Sequence, residues 1–286
     1  MNSIKFRRYD NVDMFKADVY ELLLENEVCN NLPISFLMDS KSSDAGDQFM
    51  GTVINCLGSV VLIALCVKPF NMLLYEPNNR GGNGGVRLLA RELKRINFNP
   101  PGVFAVTELA RRFANEYYGG NDGMSAITMV LMQLNELKEY KKASGFCRLL
   151  SEEDLVFTPY WEQAFCIDCR VPAFALDENK ERIRTRIGTD SHFIWEDGVP
   201  VAQAVFGRST PNGAVINWVY TPPLYRGLGY ATSVVAAASK SLFDRGKRFC
   251  CLFADADNPA SRRVYHKLGY TDVCEFEQIE FDAEKY

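Results

Sequence analysis

Histidine is nearly missing from this chain: there are two, His192 and His266. A histidine-rich metal centre is therefore not expected. Cysteine offers little more, because Cys166 and Cys169 form a C-x-x-C with no second pair, and a four-cysteine zinc site would lack half its ligands. On a helix those two fall on one face and read as core fillers, so no metal is expected. Excess positive charge is also lacking. A net charge of −4 and a pI of about 5.4 argue against an electrostatic footprint for nucleic acid. No apolar run approaches the roughly 18 residues of a membrane-spanning helix, and the longest, residues 60–67, is strand-sized. The start, Met1-Asn2-Ser3-Ile4-Lys5, has no apolar signal core. Cysteines number nine, an odd count, which without an export signal favours free thiols in a reducing compartment. The expectation is a cytoplasmic protein with neither nucleic acid nor membrane as partner.

What is present is an ordinary globular composition. Of 286 residues, 47% are hydrophobic and 24% charged, enough for a sizeable core and about two domains. The pattern in the first half predicts a helix with Phe15, Val19, Leu22 and Leu23 on one face, then a short helix near 32–38 and a polar loop at 40–47. Extended stretches follow at 48–56, 60–67 and 71–75, then a glycine- and asparagine-rich loop at 78–85. After it come a helix carrying Val86, Leu89, Leu93 and Ile96, a strand at 103–106, a helix carrying Leu109, Phe113 and Tyr117, and a strand at 126–134.

The second half has the same order. A strand at 146–150 leads to a helix opened by Ser151 and Asp154 as a capping box, and a charged helix follows at 177–186. Strands at 192–195, 201–206 and 214–220 precede a glycine loop, a helix, a strand at 248–253, a helix and a strand. The repetition predicts two tandem copies of one fold, the first degenerate. The charged-then-small stretch 138–145 marks the boundary, which gives domains at 1–140 and 146–286.

The chain is organised around residues 219–231. Val215, Ile216, Trp218 and Val219 form a buried-strand pattern that Pro222 and Pro223 stop. Then come Arg226, Gly227, Leu228, Gly229, Tyr230 and Ala231, and Leu228, Ala231, Val234, Val235, Ala238 and Leu242 recur at helical spacing. Strand, glycine loop and helix start together expose backbone N–H groups to which a phosphate can approach. The plain alternative is a tight turn that needs glycine for its dihedrals. A second motif lies downstream: Asn258, Ser261, Tyr265, Gly269 and Tyr270 stand in an N-x-x-S-x-x-x-Y-x-x-x-G-Y spacing.

Together these two motifs, in this order and one helix and one strand apart, resemble the GNAT acyltransferase superfamily. The resemblance covers the chain from residue 146 to its end. It implies an α/β (α+β) protein of tandem GNAT-like domains, each a mixed, mostly antiparallel sheet flanked by helices. It also implies acetyl-CoA as acyl-donor cosubstrate and an amine as acceptor, with a homodimer compatible. By the same resemblance, the amides of Arg226, Gly227, Leu228, Gly229, Tyr230 and Ala231 hold the diphosphate, and the backbone of Val219, Tyr220 and Thr221 pairs with the pantetheine arm. Asn258, with Ser261 beside it, contacts the cofactor as well as capping its helix, and Tyr265 stands in the position of the general acid.

No general base declares itself. Where many family members carry an acidic residue, this strand has Asn217 and Trp218, and nearby Asp190, His192, Glu196 and Asp197 include a hairpin turn. The leading expectation is an N-acetyltransferase that acts on a small molecule or peptide amine. A CoA-binding regulator or sensor without turnover is the alternative, and a two-domain scaffold is a third reading that the retained motif residues disfavour.

Overall fold

A computed structural model describes residues 4–39, 48–77, 82–119 and 125–281. The polar stretch 40–47 and residues 78–81 of the first glycine loop lie outside the described residues. The chain divides into two compact units: Met1–Val130 with Cys274–Tyr286, and Leu131–Val273.

The first run of elements is β1 (Lys5–Tyr9), α1 (Val12–Leu24), α2 (Asn31–Asp39), β2 (Gln48–Ile54), β3 (Val60–Val67), β4 (Met72–Tyr75), α3 (Gly82–Arg95), β5 (Gly102–Val106), α4 (Thr107–Tyr118) and β6 (Ser125–Leu134). The second repeats this order as β7 (Phe146–Leu149), α5 (Thr158–Cys169), α6 (Leu176–Arg184), β8 (His192–Glu196), β9 (Pro200–Ser209), β10 (Gly213–Tyr220), α7 (Tyr230–Asp244), β11 (Phe249–Asp255), α8 (Pro259–Leu268) and β12 (Thr271–Glu280). Both runs pair alike. In the first, β1, β2, β3 and β4 are successively antiparallel and β4 joins β5 in parallel. In the second, β7, β8, β9 and β10 are antiparallel and β10 joins β11 in parallel. The result is a mixed, mostly antiparallel α/β arrangement.

Local chemistry explains the elements. Asn11 caps α1 by accepting the Met14 N–H at 3.0 Å, and Phe15, Val19 and Leu23 are fully buried along one face. Strand β3 is apolar throughout and buried at Val61, Leu62, Ile63, Ala64, Leu65 and Cys66, as a central strand covered on both faces must be. Strand β1 was not foreseen. Lys5, Arg7 and Arg8 give it a polar reading, and it exists through its pairing with β2, from Lys5↔Ile54 to Tyr9↔Met50. Where one helix was expected from Ser151, a short tight helical turn, Glu152–Val156, precedes α5. Asp154 accepts the Ser151 N–H at 2.8 Å, as a capping box requires, and α5 restarts with Pro159 in its first turn, where no N–H is needed.

The units differ from a linear division at 140 and 146 in two ways. Residues 138–145 are held inside the second unit. The Lys138 N–H donates to Leu268 O at 3.0 Å, the Ala143 N–H to Ser233 Oγ at 2.8 Å, and Trp195 Nε1 to Ser144 O at 2.7 Å. In addition, β12 from Cys274 onward belongs to the first unit, antiparallel to β5 from Phe276↔Val106 to Glu280↔Gly102. Ile279 and Phe281 are buried there in one cluster with Leu109, Phe113 and Val103. Strand pairing is non-local, so the alternation within β12 names a strand without naming its neighbour.

Candidate active site

The site begins where β10 parts from β11. Parallel pairing runs only from Gly213↔Phe249 to Val215↔Cys251, although β10 continues to Tyr220 and β11 to Asp255. On the other side, β10 stays paired with β9 as far as Tyr220↔Gln203, with a register shift between Asn217 and Tyr220. Trp218 lies inside that irregularity at φ +51°, unusual for a residue with a side chain. A polar chain braces it: Gln203 Nε2 donates to Trp218 O at 3.4 Å, and Gln203 Oε1 lies 3.3 Å from His192 Nε2. The last part of β10 therefore presents an edge unpaired with β11. Asn217 Oδ1 and Thr221 Oγ1 are buried in this region without a hydrogen-bond partner. One wall is aromatic, with Trp161 of α5 6.0 Å from Tyr220 and Phe165 5.0 Å from Trp218, centroid to centroid.

The glycine loop follows. Gly227 and Gly229 have φ of +80° and +89°, so both are needed for the backbone path alone, as the plain reading anticipated. A Cβ on Gly227 would meet nothing, and one on Gly229 would stand 3.8 Å from Ala143 Cβ. Space in front of the loop is thus open. Gly229 is the N-cap of α7 and makes no side-chain cap hydrogen bond, which leaves the first-turn amides of Tyr230, Ala231 and Thr232 without an intrahelical acceptor. That arrangement suits an anion. The expected helical face changes at its start: Leu228 precedes α7 and is exposed, because the two left-handed glycines delay the helix to Tyr230. The Tyr230 side chain is buried and donates to Asp197 Oδ2 at 2.6 Å, so only its backbone faces the loop's opening. Arg226 reaches back, with Nη2 2.6 Å from Asp168 Oδ2 of α5 and Nε donating to Thr221 O at 2.9 Å.

Asn258 caps α8: its Oδ1 accepts the Ser261 N–H at 3.1 Å, and Ser261 Oγ donates to Asn258 O at 2.9 Å. Both side chains are engaged in that cap, the ordinary role foreseen for Asn258. Tyr265 is buried, edge-on to Tyr270 at 5.7 Å, and its hydroxyl makes no hydrogen bond to another described residue. Burial, and after it the nearby Cys169 thiol at the end of α5, raise its pKa. Cys169 is itself pushed up to about 11 by burial, then by Asp168 and Asp255, and Cys166 is buried in the core. The two cysteines are thus neutral thiols at neutral pH.

Of the acidic and imidazole groups near β8, His192, Glu196 and Asp197 are already engaged. Burial, and next the charge of Arg186, lower the His192 pKa to about 3, so the ring is neutral. Arg148 donates to Glu196 Oε2 at 2.5 Å. Asp197 accepts from Ser144 and Tyr230, which lower its pKa. One carboxylate that the sequence reading missed is Glu162 of α5, fully buried and paired with Arg186, its pKa raised by burial against the pull of that partner. The helical period pointed only to apolar residues there, so a buried ion pair between α5 and the segment after α6 gave no local signal.

A splayed parallel strand pair, an uncapped helix start beyond a glycine loop, and a buried phenol on the next helix are the features of this part of the second unit. Residues 156–270 match the family model described as "Acetyltransferase (GNAT) family". The likeness to that family therefore lies in residues 156–270, and members of the family are acyltransferases that transfer groups other than aminoacyl groups and use acetyl-CoA. No curated protein matches the chain. Solved structures share its whole architecture. An acetyltransferase of the GNAT family from Colwellia psychrerythraea has a TM-score of 0.62 at 12% identity, over 97% of this chain and 100% of that one. A GCN5-related N-acetyltransferase from Sphaerobacter thermophilus gives 0.67 at 16%, over 98% and 96%. A tandem GNAT protein from the clavulanic acid biosynthesis pathway gives 0.60 at 14%, over 99% and 100%. At these identities the likeness is one of fold, here a tandem GNAT-like fold. Among the described residues no helix is long and apolar enough to cross a membrane.

Proposed function

We propose that the domain expected at 146–286 moves an acetyl group from acetyl-CoA to a primary amine of a small molecule or peptide. The observation that carries this reading is the open edge of β10 leading directly to the uncapped start of α7. The amides from Arg226 to Ala231 hold the diphosphate. Pantetheine carries amides of its own, so the backbone of Val219, Tyr220 and Thr221 receives it as an added strand, and an N–H at Val219 or Tyr220 serves the oxyanion. The buried Thr221 hydroxyl, which has no partner among the described residues, supports a ligand at this edge. Arg226 is engaged with Asp168 and holds the loop rather than the phosphates. Asn258 and Ser261 fix the start of α8 beside the cofactor, and from there Tyr265 presents its free hydroxyl to the departing thiolate as general acid.

A raised pKa keeps the Tyr265 proton in place between turnovers, but it makes full transfer to a thiolate of pKa about 8.5 uphill. Its contribution is therefore greatest in the transition state, where the hydrogen bond forms as charge builds on sulfur. With Glu196 and Asp197 near β8 already engaged, water or an amine of low pKa supplies the base. The first run, residues 1–140, is a degenerate copy. Seven residues past its N-cap, where α8 has Tyr265, α4 carries buried Phe113, which has no hydroxyl. Buried Glu76, just past β4 and paired with Arg112, puts a carboxylate where β10 is followed by Thr221, which disfavours an anionic cofactor. Nine cysteines, none in a disulfide, suit a reducing, cytoplasmic setting.

Release of CoA thiol from acetyl-CoA, followed with a panel of amines, tests the reading. Amine-dependent release confirms transfer. Calorimetric binding of acetyl-CoA with no release for any amine supports the alternative, a CoA-binding regulator, which the engagement of Glu196 and Asp197 favours. Absence of binding sinks both.

A further inference from the structure

Cys29 lies in the turn between α1 and α2, and Cys274 lies in β12, far apart in sequence yet both in the first unit. Their sulfurs are 3.3 Å apart. That is closer than two sulfurs in plain van der Waals contact, and little movement separates it from the ~2.05 Å of a bond. Both side chains are partly exposed, so a small reagent can reach them. A small cavity of about 20 Å³ borders Cys29, between Leu23, Asn30, Ile63 and Phe276, and gives its side chain room to turn. Of the remaining thiols, Cys66, Cys166, Cys250 and Cys251 are buried and Cys56 is exposed on a turn. Cys147 and Cys169 are partly exposed, but burial pushes each thiol up to about 11.

We infer that Cys29 and Cys274 form a reactive thiol pair, a modification site that closes to a disulfide when the protein meets a low-molecular-weight disulfide such as oxidised glutathione. Cys29 is the attacking sulfur. The hydrogen bond from Cys274 stabilises its thiolate and lowers its pKa, whereas that of Cys274 is raised. The Cys29 thiolate attacks one sulfur of the small disulfide, forms a mixed disulfide and expels one small thiolate. Cys274 then gives up its proton to solvent and attacks the Cys29 sulfur, which expels the second small thiolate. Two protein thiols and one small disulfide become one protein disulfide and two small thiols, so two electrons pass from the protein to the reagent. The bond would tie β12 covalently to the turn before α2, within the first unit. The pair is independent of the acyl-transfer reading, because neither sulfur belongs to that site.

The full chain is incubated with oxidised glutathione, remaining thiols are alkylated with iodoacetamide, and an unreduced tryptic digest is examined by mass spectrometry. The expected product is a linked pair, the peptide of residues 17–41 holding Cys29 and the peptide of residues 268–285 holding Cys274, two hydrogens lighter than its parts. It should form before either cysteine accumulates a glutathione adduct. In Cys29→Ser, confirmed folded by circular dichroism, Cys274 should be recovered alkylated or glutathionylated and unlinked. Recovery of both cysteines from the unmodified chain as alkylated thiols, as stable glutathione adducts, or linked to other cysteines would overturn the assignment.

Discussion

Tyr265 and His192 are both buried in the second unit, and their chemistry leads to opposite tests. Tyr265→Phe removes one hydroxyl that makes no hydrogen bond to another described residue, so packing against Tyr270 survives and stability should move little. If the hydroxyl is the acid, turnover at saturating acetyl-CoA should fall roughly 10²- to 10⁴-fold with cofactor affinity kept. A wild-type rate in the variant would leave Tyr265 as a packing residue. His192 bears on folding instead. Above about pH 6.5 its ring is neutral in folded and unfolded chains alike. Below that, the unfolded chain takes up a proton that the buried ring refuses until about pH 3, so stability falls as pH falls through this window. Between pH 7 and 5 the loss is about 2 kcal/mol. The melting temperature of the wild type should therefore drop further over that range than that of His192→Gln, and equal drops would assign the proton uptake elsewhere. Of these two residues, Tyr265 was legible from its spacing to Asn258. The neutral, buried state of His192 was not, because it depends first on burial and then on the charge of Arg186, which lies outside any motif.

At the scale of elements, the readable parts were those with a strong local signal. The glycine loop and α8 stand where the sequence put them, since left-handed dihedrals and an asparagine cap are local demands. The irregularity in β10 at Trp218 was hidden, because a tryptophan at φ +51° is imposed by the Gln203 brace rather than by its own preference. In the loop itself, Gly229→Val places a branched side chain at φ +89°. Left-handed backbone costs such residues about 1–2 kcal/mol, so the variant should still melt cooperatively, a few degrees lower. Coenzyme A binding should be lost, since the new side chain and the shifted backbone both disturb the amides that open α7. Calorimetry that found unchanged affinity in a folded Gly229→Val protein would remove the loop from the cofactor site.

At the scale of the whole molecule, the repeat was legible because each copy must bury the same kinds of face in the same order. The membership of β12 was not, because a strand carries no label for its partner. This makes a folding prediction. A chain of residues 1–130 keeps nine strands and helices of the first unit before β6 but lacks the strand that pairs with β5 at five register positions. It also lacks Ile279 and Phe281, each almost wholly buried beside Phe113. Losing two such side chains costs about 1.5–3 kcal/mol each, a large part of the roughly 5–15 kcal/mol that holds a domain together. The edge of β5 would stand open as well, and an open apolar edge invites aggregation. Residues 1–130 alone should therefore show no cooperative thermal transition, and should elute as aggregate or as expanded chain. The same residues joined by a flexible linker to 271–286 should melt cooperatively. If 1–130 alone melted as sharply, and as high, as the linked form, β12 would be dispensable to the first unit and its assignment there would fail.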